Sequence, residues 1–126
     1  MNDITDRQDV ITLVDSFYRQ VREHPLLGPI FNEVAKVDWT AHLPKMYSFW
    51  ATLLLGENSY SGNPMLPHLD LSRKATLDEE AFNAWKQLFN QTVDNLFAGT
   101  KAEEAKERAG NIARLMLHKV QSAKAY

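Results

Sequence analysis

Four long segments of the chain repeat apolar residues at spacings of three and four, which is the period of an α-helix with one buried face. The first repeat runs from Val10 to Val21, and the others cover residues 42–53, 82–96 and 105–120. No segment shows the alternation of apolar and polar residues that is typical of a half-buried strand. The pattern predicts an all-α fold, and a length of 126 residues suits a single domain, residues 1–126.

Local signals at the ends of these segments support the same helices. Thr5, Thr76 and Thr100 each stand three residues before a Gln or Glu, so we expect each to cap a helix through a capping box. Residues that end helices follow the segments: Pro25, Gly56 and Gly99. The second helix should begin between residues 38 and 42, because Pro44 is tolerated only near a helix start.

The composition excludes several kinds of chemistry. Without cysteine the chain cannot form disulfides, thiolate zinc sites, iron–sulfur clusters, a thiol nucleophile or a covalent haem link through C-x-x-C-H. A net charge of −2 and a pI of about 6.1 predict no binding to nucleic acid or to an anionic membrane surface. No signal peptide is visible and no apolar run is long enough to span a bilayer, so we expect a cytoplasmic protein.

One stretch of the chain does not fit a long helix. Pro64 and Pro67 bracket two apolar residues, and His68 follows with Leu69 and Leu71 around it. Proline removes a backbone donor and fixes φ, so two prolines three residues apart forbid a long regular helix, whereas a short turn can begin at Pro67. The stretch therefore predicts a stiff turn that presents an imidazole between longer helices.

Residue types alone leave the role of that imidazole open. His42 opens the second apolar segment, where a histidine is more often a hydrogen-bonded core residue than a ligand. No metal-binding motif, phosphate loop or catalytic triad is visible. The many aromatic side chains fit an ordinary core, but Tyr18 and Trp85 add polar groups to it. Tyr18 and Trp85, together with His68, suggest a pocket for a flat apolar molecule with a polar centre. Haem would satisfy that description.

An ordered set of motifs carries a more specific signal than any one of them. The set is Phe17-Tyr18, Leu27-Gly28-Pro29-Ile30-Phe31, Trp39 with His42, Phe49-Trp50, Leu54-Leu55-Gly56, Tyr60-x-Gly62-x-Pro64, His68-Leu69-Asp70-Leu71, Phe82-x-x-Trp85 and Leu88-Phe89. In this order and at these spacings, the chain resembles a group III truncated haemoglobin from Val10 to Met116. The resemblance implies a shortened globin in which two helices pack over two others around a b-type haem.

The resemblance also implies roles for individual residues. His68 would be the proximal ligand of the haem iron, while Tyr18, Trp85 and His42 would line the opposite, distal side. The residues that would pack against the haem or wall its pocket are Phe31, Met46, Phe49 and Trp50. Tyr18 and Trp85 would donate hydrogen bonds to O2 held there, which stabilises O2 because it becomes partly negative.

The implied function is the binding of O2, or of another diatomic ligand such as CO or NO, on haem b. The alternative to ligand binding is a haem-dependent redox enzyme that uses the same pocket. It would act like a peroxidase or convert NO with bound O2, and an unidentified reductase would supply its electrons. A helical interaction module without a cofactor is the third interpretation. It would explain the apolar faces as core and His68 as an ordinary loop residue.

Overall fold

The computed structural model describes residues 1–31, 38–57 and 79–124, with side chains up to residue 118. The helices in these ranges are α1 (Arg7–Glu23), the single-turn α2 (Leu27–Pro29), α3 (Trp39–Leu55), α4 (Glu79–Leu96) and α5 (Thr100–Lys124). No strand occurs within the ranges described, so the all-α prediction is confirmed. None of these helices is both long and apolar enough to cross a membrane. The predicted turn at His68 and the predicted cap at Thr76 lie outside the described residues.

The helices form two packed pairs. One pair is α1 with α3, and the other is α4 with α5. The pairs meet mainly where α1 contacts α4 and, over a smaller area, where α3 contacts α5; α2 lies against α1 and α4. The predicted two-over-two arrangement is therefore confirmed, and it leaves the inner faces of four helices around one core.

Aromatic rings hold the two pairs together. Phe17 of α1 and Phe89 of α4 are almost fully buried, and their rings meet edge to face with centroids 5.1 Å apart. Trp50 of α3 stacks on Phe89 at 4.8 Å. Full burial of a large apolar side chain contributes about 1.5–3 kcal/mol, so these three rings are a major part of the cohesion between the pairs.

The beginning of α1 differs from the prediction by one residue. Asp6 caps the helix, because its carboxylate accepts a hydrogen bond from the backbone N–H of Asp9 at 2.9 Å. Asp9 in turn accepts from the backbone N–H of Thr5 at 2.9 Å and from its hydroxyl at 3.0 Å. The predicted box of Thr5 with Gln8 is wrong, since the next residue, Asp6, is a residue type preferred over threonine as an N-cap and lies closer to the helix.

The predicted Thr100 cap of α5 is also wrong. Gly99 precedes this helix with a φ of +141° and has no side chain with which to cap it. Instead Asp3, from the N-terminal segment, accepts hydrogen bonds from the backbone N–H groups of Lys101 at 2.9 Å and Ala102 at 2.8 Å. A Cβ atom at Gly99 would lie 2.6 Å from the Asp3 Cγ, so glycine leaves the room that this long-range cap needs.

Helix α3 begins where predicted and accommodates a proline. Asp38 caps it by accepting a hydrogen bond from a backbone N–H of the first turn. Pro44 lies in the second turn, where it has no N–H to donate to the carbonyl of Thr40. Only one bond near the start is lost, so the helix continues until Gly56 ends it with a φ of +72°, as predicted.

Candidate functional site

A small cavity lies between the two helix pairs. Its volume is about 20 Å³, which is enough for one water molecule or a ligand of similar size. Its walls come from four helices: Tyr18 on α1, Met46, Phe49 and Trp50 on α3, Trp85 on α4, and Ile112 and Met116 on α5. Because both pairs contribute, the cavity exists only when the pairs are packed against each other.

Most of the pocket residues predicted from the sequence meet at this cavity. They are Tyr18, Met46, Phe49, Trp50 and Trp85. The three on α3 share one face because they are three and four residues apart. Two lining residues, Ile112 and Met116, were predicted only as core residues of the last helix. Their four-residue spacing places them on one helix face, but the packing of α5 decides that this face reaches the cavity.

Two polar groups belong to this otherwise apolar lining. Tyr18 is buried, and loss of solvent raises the pKa of its hydroxyl well above the ordinary range, so the phenol stays protonated and can donate. Trp85 is half-buried and carries an indole N–H, which is a donor only. Within the part of the chain that the structure describes, neither side chain makes a hydrogen bond. Two of the residues that line the cavity therefore carry a donor that no described residue uses.

Phe17 packs against both aromatic rings that carry these donors. Its ring contacts Tyr18 edge to face, with centroids 4.9 Å apart, and it contacts Trp85 in the same way at 5.6 Å. Because Phe17 is itself 1% exposed and wedged against Phe89, it cannot move without disturbing the core. The two donors thus rest on the rigid centre of the fold.

The remaining predicted pocket residues form a second aromatic group behind Tyr18. The His42 ring meets the Tyr18 ring edge to face at 5.2 Å, and it meets Trp39 in the same way at 5.7 Å. Phe31 stacks on Trp39 at 6.1 Å. None of these three side chains is part of the cavity lining: His42 packs directly behind Tyr18, and Phe31 packs on Trp39. Trp39, which the sequence marked only as part of a motif, joins them.

The predicted iron ligand, His68, lies outside the described residues. Among the residues that are described, no three His, Asp or Glu side chains come close enough to hold a metal ion together. A metal centre built on His68 would therefore take its protein ligand from residues 58–78, and the described helices would supply its walls.

Known proteins resemble this chain over nearly its whole length. The family model of the bacterial-like globins matches residues 2–121. The group 3 truncated hemoglobin ctb of Campylobacter jejuni is 33% identical over 111 residues, which are 86% of this chain and 85% of that protein. The crystal structure of a group III truncated hemoglobin from Campylobacter jejuni matches with a TM-score of 0.81 and 31% identity, over 95% of each chain. The chain therefore belongs to the bacterial-like globins, a haem-binding family, and within them to the group III truncated haemoglobins.

Proposed function

We propose that this protein holds a b-type haem and binds O2 or another diatomic ligand, such as CO or NO, in the cavity beside Tyr18 and Trp85. The observation that carries this proposal is the pairing of a cavity of about 20 Å³ with two donors that make no hydrogen bond within the described residues. Each of these two lining residues keeps a hydrogen-bond donor that no described residue uses, and a small polar ligand in the cavity would give both donors an acceptor.

The described residues fit one face of a haem. The cavity walls are aromatic rings, methionines and an isoleucine, which suit an apolar macrocycle. The cavity itself admits only a few atoms, which matches a diatomic ligand and not the porphyrin. The porphyrin would be enclosed between these walls and residues 58–78, where His68 stands.

Different residues would hold the iron and stabilise the bound ligand. His68 would hold the iron through one ring nitrogen, because a neutral imidazole is a good iron ligand. When bound, the haem would supply the iron that takes up the diatomic ligand. Tyr18 and Trp85 would donate hydrogen bonds to that ligand, and the surrounding rings would keep water out. The residues proposed to pack around the haem are Phe31, His42, Met46, Phe49 and Trp50.

The visible spectrum of the purified protein tests the haem assignment. A Soret band that shifts on reduction and again on addition of CO is expected from wild-type protein. His68→Leu should weaken retention of haem or alter the spectrum of the reduced form, since the imidazole would no longer hold the iron. A colourless protein that ignores added haem would instead support the cofactor-free interaction module, and an unaltered spectrum in His68→Leu would remove that residue as the ligand.

The rate of O2 release tests the two donors. A hydrogen bond to a charged group contributes about 1.5–3 kcal/mol, so Tyr18→Phe or Trp85→Phe should speed O2 release by roughly 10- to 150-fold. CO carries less charge than O2 in such a site, so its release should change less in the same variants. Tyr47→Phe is the matched control, because the Tyr47 hydroxyl donates to Asp15 and lies outside the cavity lining.

The same two donors favour a second candidate function, a haem-dependent redox enzyme. If both donors of the lining reach a bound ligand, they would polarise an O–O bond as well as retain O2. Turnover with peroxide would support peroxidase-like activity, and consumption of NO by the oxygenated protein would support NO dioxygenase activity, with an unidentified reductase as electron donor. In either case the turnover should be lost in Tyr18→Phe. Slow O2 release without turnover would support binding alone.

A further inference from the structure

Trp39 stands at the junction of α1, α3 and the second aromatic group. It is the first residue of α3, and the Asp38 cap fixes the backbone there. Its ring contacts Tyr18 at 5.4 Å, His42 at 5.7 Å and Phe31 at 6.1 Å. Trp39 thus touches each ring of this group.

Arg22 holds Trp39 from the last turn of α1. The guanidinium carbon lies 4.4 Å from the centre of the Trp39 ring, which is a cation–π contact. Trp is the aromatic side chain that binds cations best in this way, and Arg is the usual partner. The contact ties the indole to the helix that carries Tyr18, and so fixes it relative to that hydroxyl.

His42 is held between two rings. It lies three residues after Trp39 on α3, so both side chains project from the same face of the helix. Its imidazole meets both Trp39 and Tyr18 edge to face, and it stays out of the cavity lining. Removal of the indole would take away one of the two rings that pack on the imidazole, and one of the rings that pack on Tyr18.

We propose that Trp39, clamped by Arg22, is a positioning residue that keeps the His42 and Tyr18 rings packed so that the Tyr18 hydroxyl faces the ligand cavity. This inference rests on the proposed function, because it concerns the strength of the hydrogen bond from Tyr18 to a bound ligand. Trp39 acts through Tyr18 and does not itself line the cavity.

The test measures O2 release in single and double variants of the haem-loaded protein. Trp39→Leu should speed release by about 3- to 30-fold, while Trp39→Phe, which keeps an aromatic ring, should restore a rate close to wild type. In a Tyr18→Phe background, Trp39→Leu should add little, because the hydroxyl that it positions is already absent. A merely structural role would multiply the rate equally in both backgrounds.

A separate pair of arginine variants tests the cation–π contact between Arg22 and Trp39. Arg22→Met keeps the length of the side chain and removes its charge, so release should speed by about two- to fivefold. Arg19→Met is the matched control, since Arg19 is an exposed arginine of the same helix. Equal effects of the two arginine variants would contradict the clamp.

NMR supplies a readout that does not depend on ligand binding. The His42 ring-proton resonances should move in Arg22→Met, which keeps the indole but removes the guanidinium that holds it, and they should stay in place in Arg19→Met. The inference is overturned if Trp39→Leu leaves the O2 release rate unchanged, if its effect on release is the same with and without the Tyr18 hydroxyl, or if Arg22→Met leaves the His42 resonances in place. Absence of a Soret band in wild-type protein would overturn the proposed function instead, and the NMR comparison would still decide whether Trp39 positions His42.

Discussion

Asp3 offers a direct test of how the N-terminal segment stabilises the fold. Its carboxylate accepts hydrogen bonds from three backbone N–H groups, those of Ile4 and Ala102 at 2.8 Å and that of Lys101 at 2.9 Å. Two of these N–H groups belong to the first turn of α5, where an N-cap side chain normally serves them. Asp3→Ala removes both carboxylate oxygens and therefore all three hydrogen bonds at once.

The expected loss of stability in Asp3→Ala follows from the geometry of the cap. Replacing a good N-cap by alanine costs about 0.5–2 kcal/mol, and the carboxylate also lies at the positive end of the helix dipole. Asp3→Ala should therefore lower the free energy of unfolding by about 1–2 kcal/mol. Asp3→Asn should cost less, because one amide oxygen can still serve Ile4 and Ala102 while the bond to Lys101 is lost.

The loss should depend on pH in a definite direction. Burial raises the pKa of Asp3, but the hydrogen bonds from Lys101, Ile4 and Ala102 outweigh this effect, so the pKa lies below its ordinary value. A carboxylate with a lowered pKa in the folded state contributes its full stabilisation above the unfolded pKa of about 3.9 and loses it as pH falls through the folded value. The difference between wild type and Asp3→Ala should therefore be constant from pH 7 to about pH 5 and should shrink below about pH 4.

Urea unfolding followed by circular dichroism at 222 nm measures these differences at each pH. Glu107→Ala is the control, because Glu107 is an exposed acidic residue of the same helix, and it should change stability by less than about 0.5 kcal/mol. If Asp3→Ala costs no more than this control at pH 7, or costs as much at pH 3 as at pH 7, then the carboxylate does not cap α5 as argued.

Three further substitutions test the packing around the site by the same unfolding measurement. Phe89→Ala should lower the free energy of unfolding by about 3–5 kcal/mol, because the fully buried ring stacks on other rings of both helix pairs. A loss of less than about 1 kcal/mol would contradict that role. Gly28→Ala should cost roughly 1–3 kcal/mol, since the new Cβ would lie 2.5 Å from the carbonyl oxygen of Arg22, and a neutral result would mean that α2 shifts freely. Thr92→Val should cost about 1 kcal/mol, because the buried Thr92 hydroxyl accepts a hydrogen bond from the Gln20 amide at 3.0 Å, whereas Gln20→Leu in the same background should add little.

Local patterns in the sequence predicted the helices and several pocket residues. Val10, Val14, Phe17 and Val21 are buried as their spacing requires, because helical periodicity decides which side chains share a face. The same reasoning placed Met46, Phe49 and Trp50 on one side of α3. Residue chemistry singled out Tyr18 and Trp85 as polar members of the aromatic core, and the family resemblance then gave them their expected distal role, which periodicity alone could not.

Competition between nearby groups limited the prediction of helix ends. Thr5 and Asp6 are both good caps, and the sequence motif alone does not show which carboxylate or hydroxyl has the better geometry. At α5 the motif failed for a different reason: Asp3 is 98 residues away from Lys101 in the chain, and no local rule brings the two together.

The sequence by itself determined the class of the fold, the buried faces of the helices and, through its ordered motifs, the globin family, because each of these follows from local spacing or from the order of residues along the chain. Only the tertiary structure decided that Ile112 and Met116 complete the cavity, that His42 lies behind Tyr18, and that Arg22 clamps Trp39. These features depend on how four helices pack against one another, and the packing angle and depth of a helix pair arise from the fit of many side chains at once.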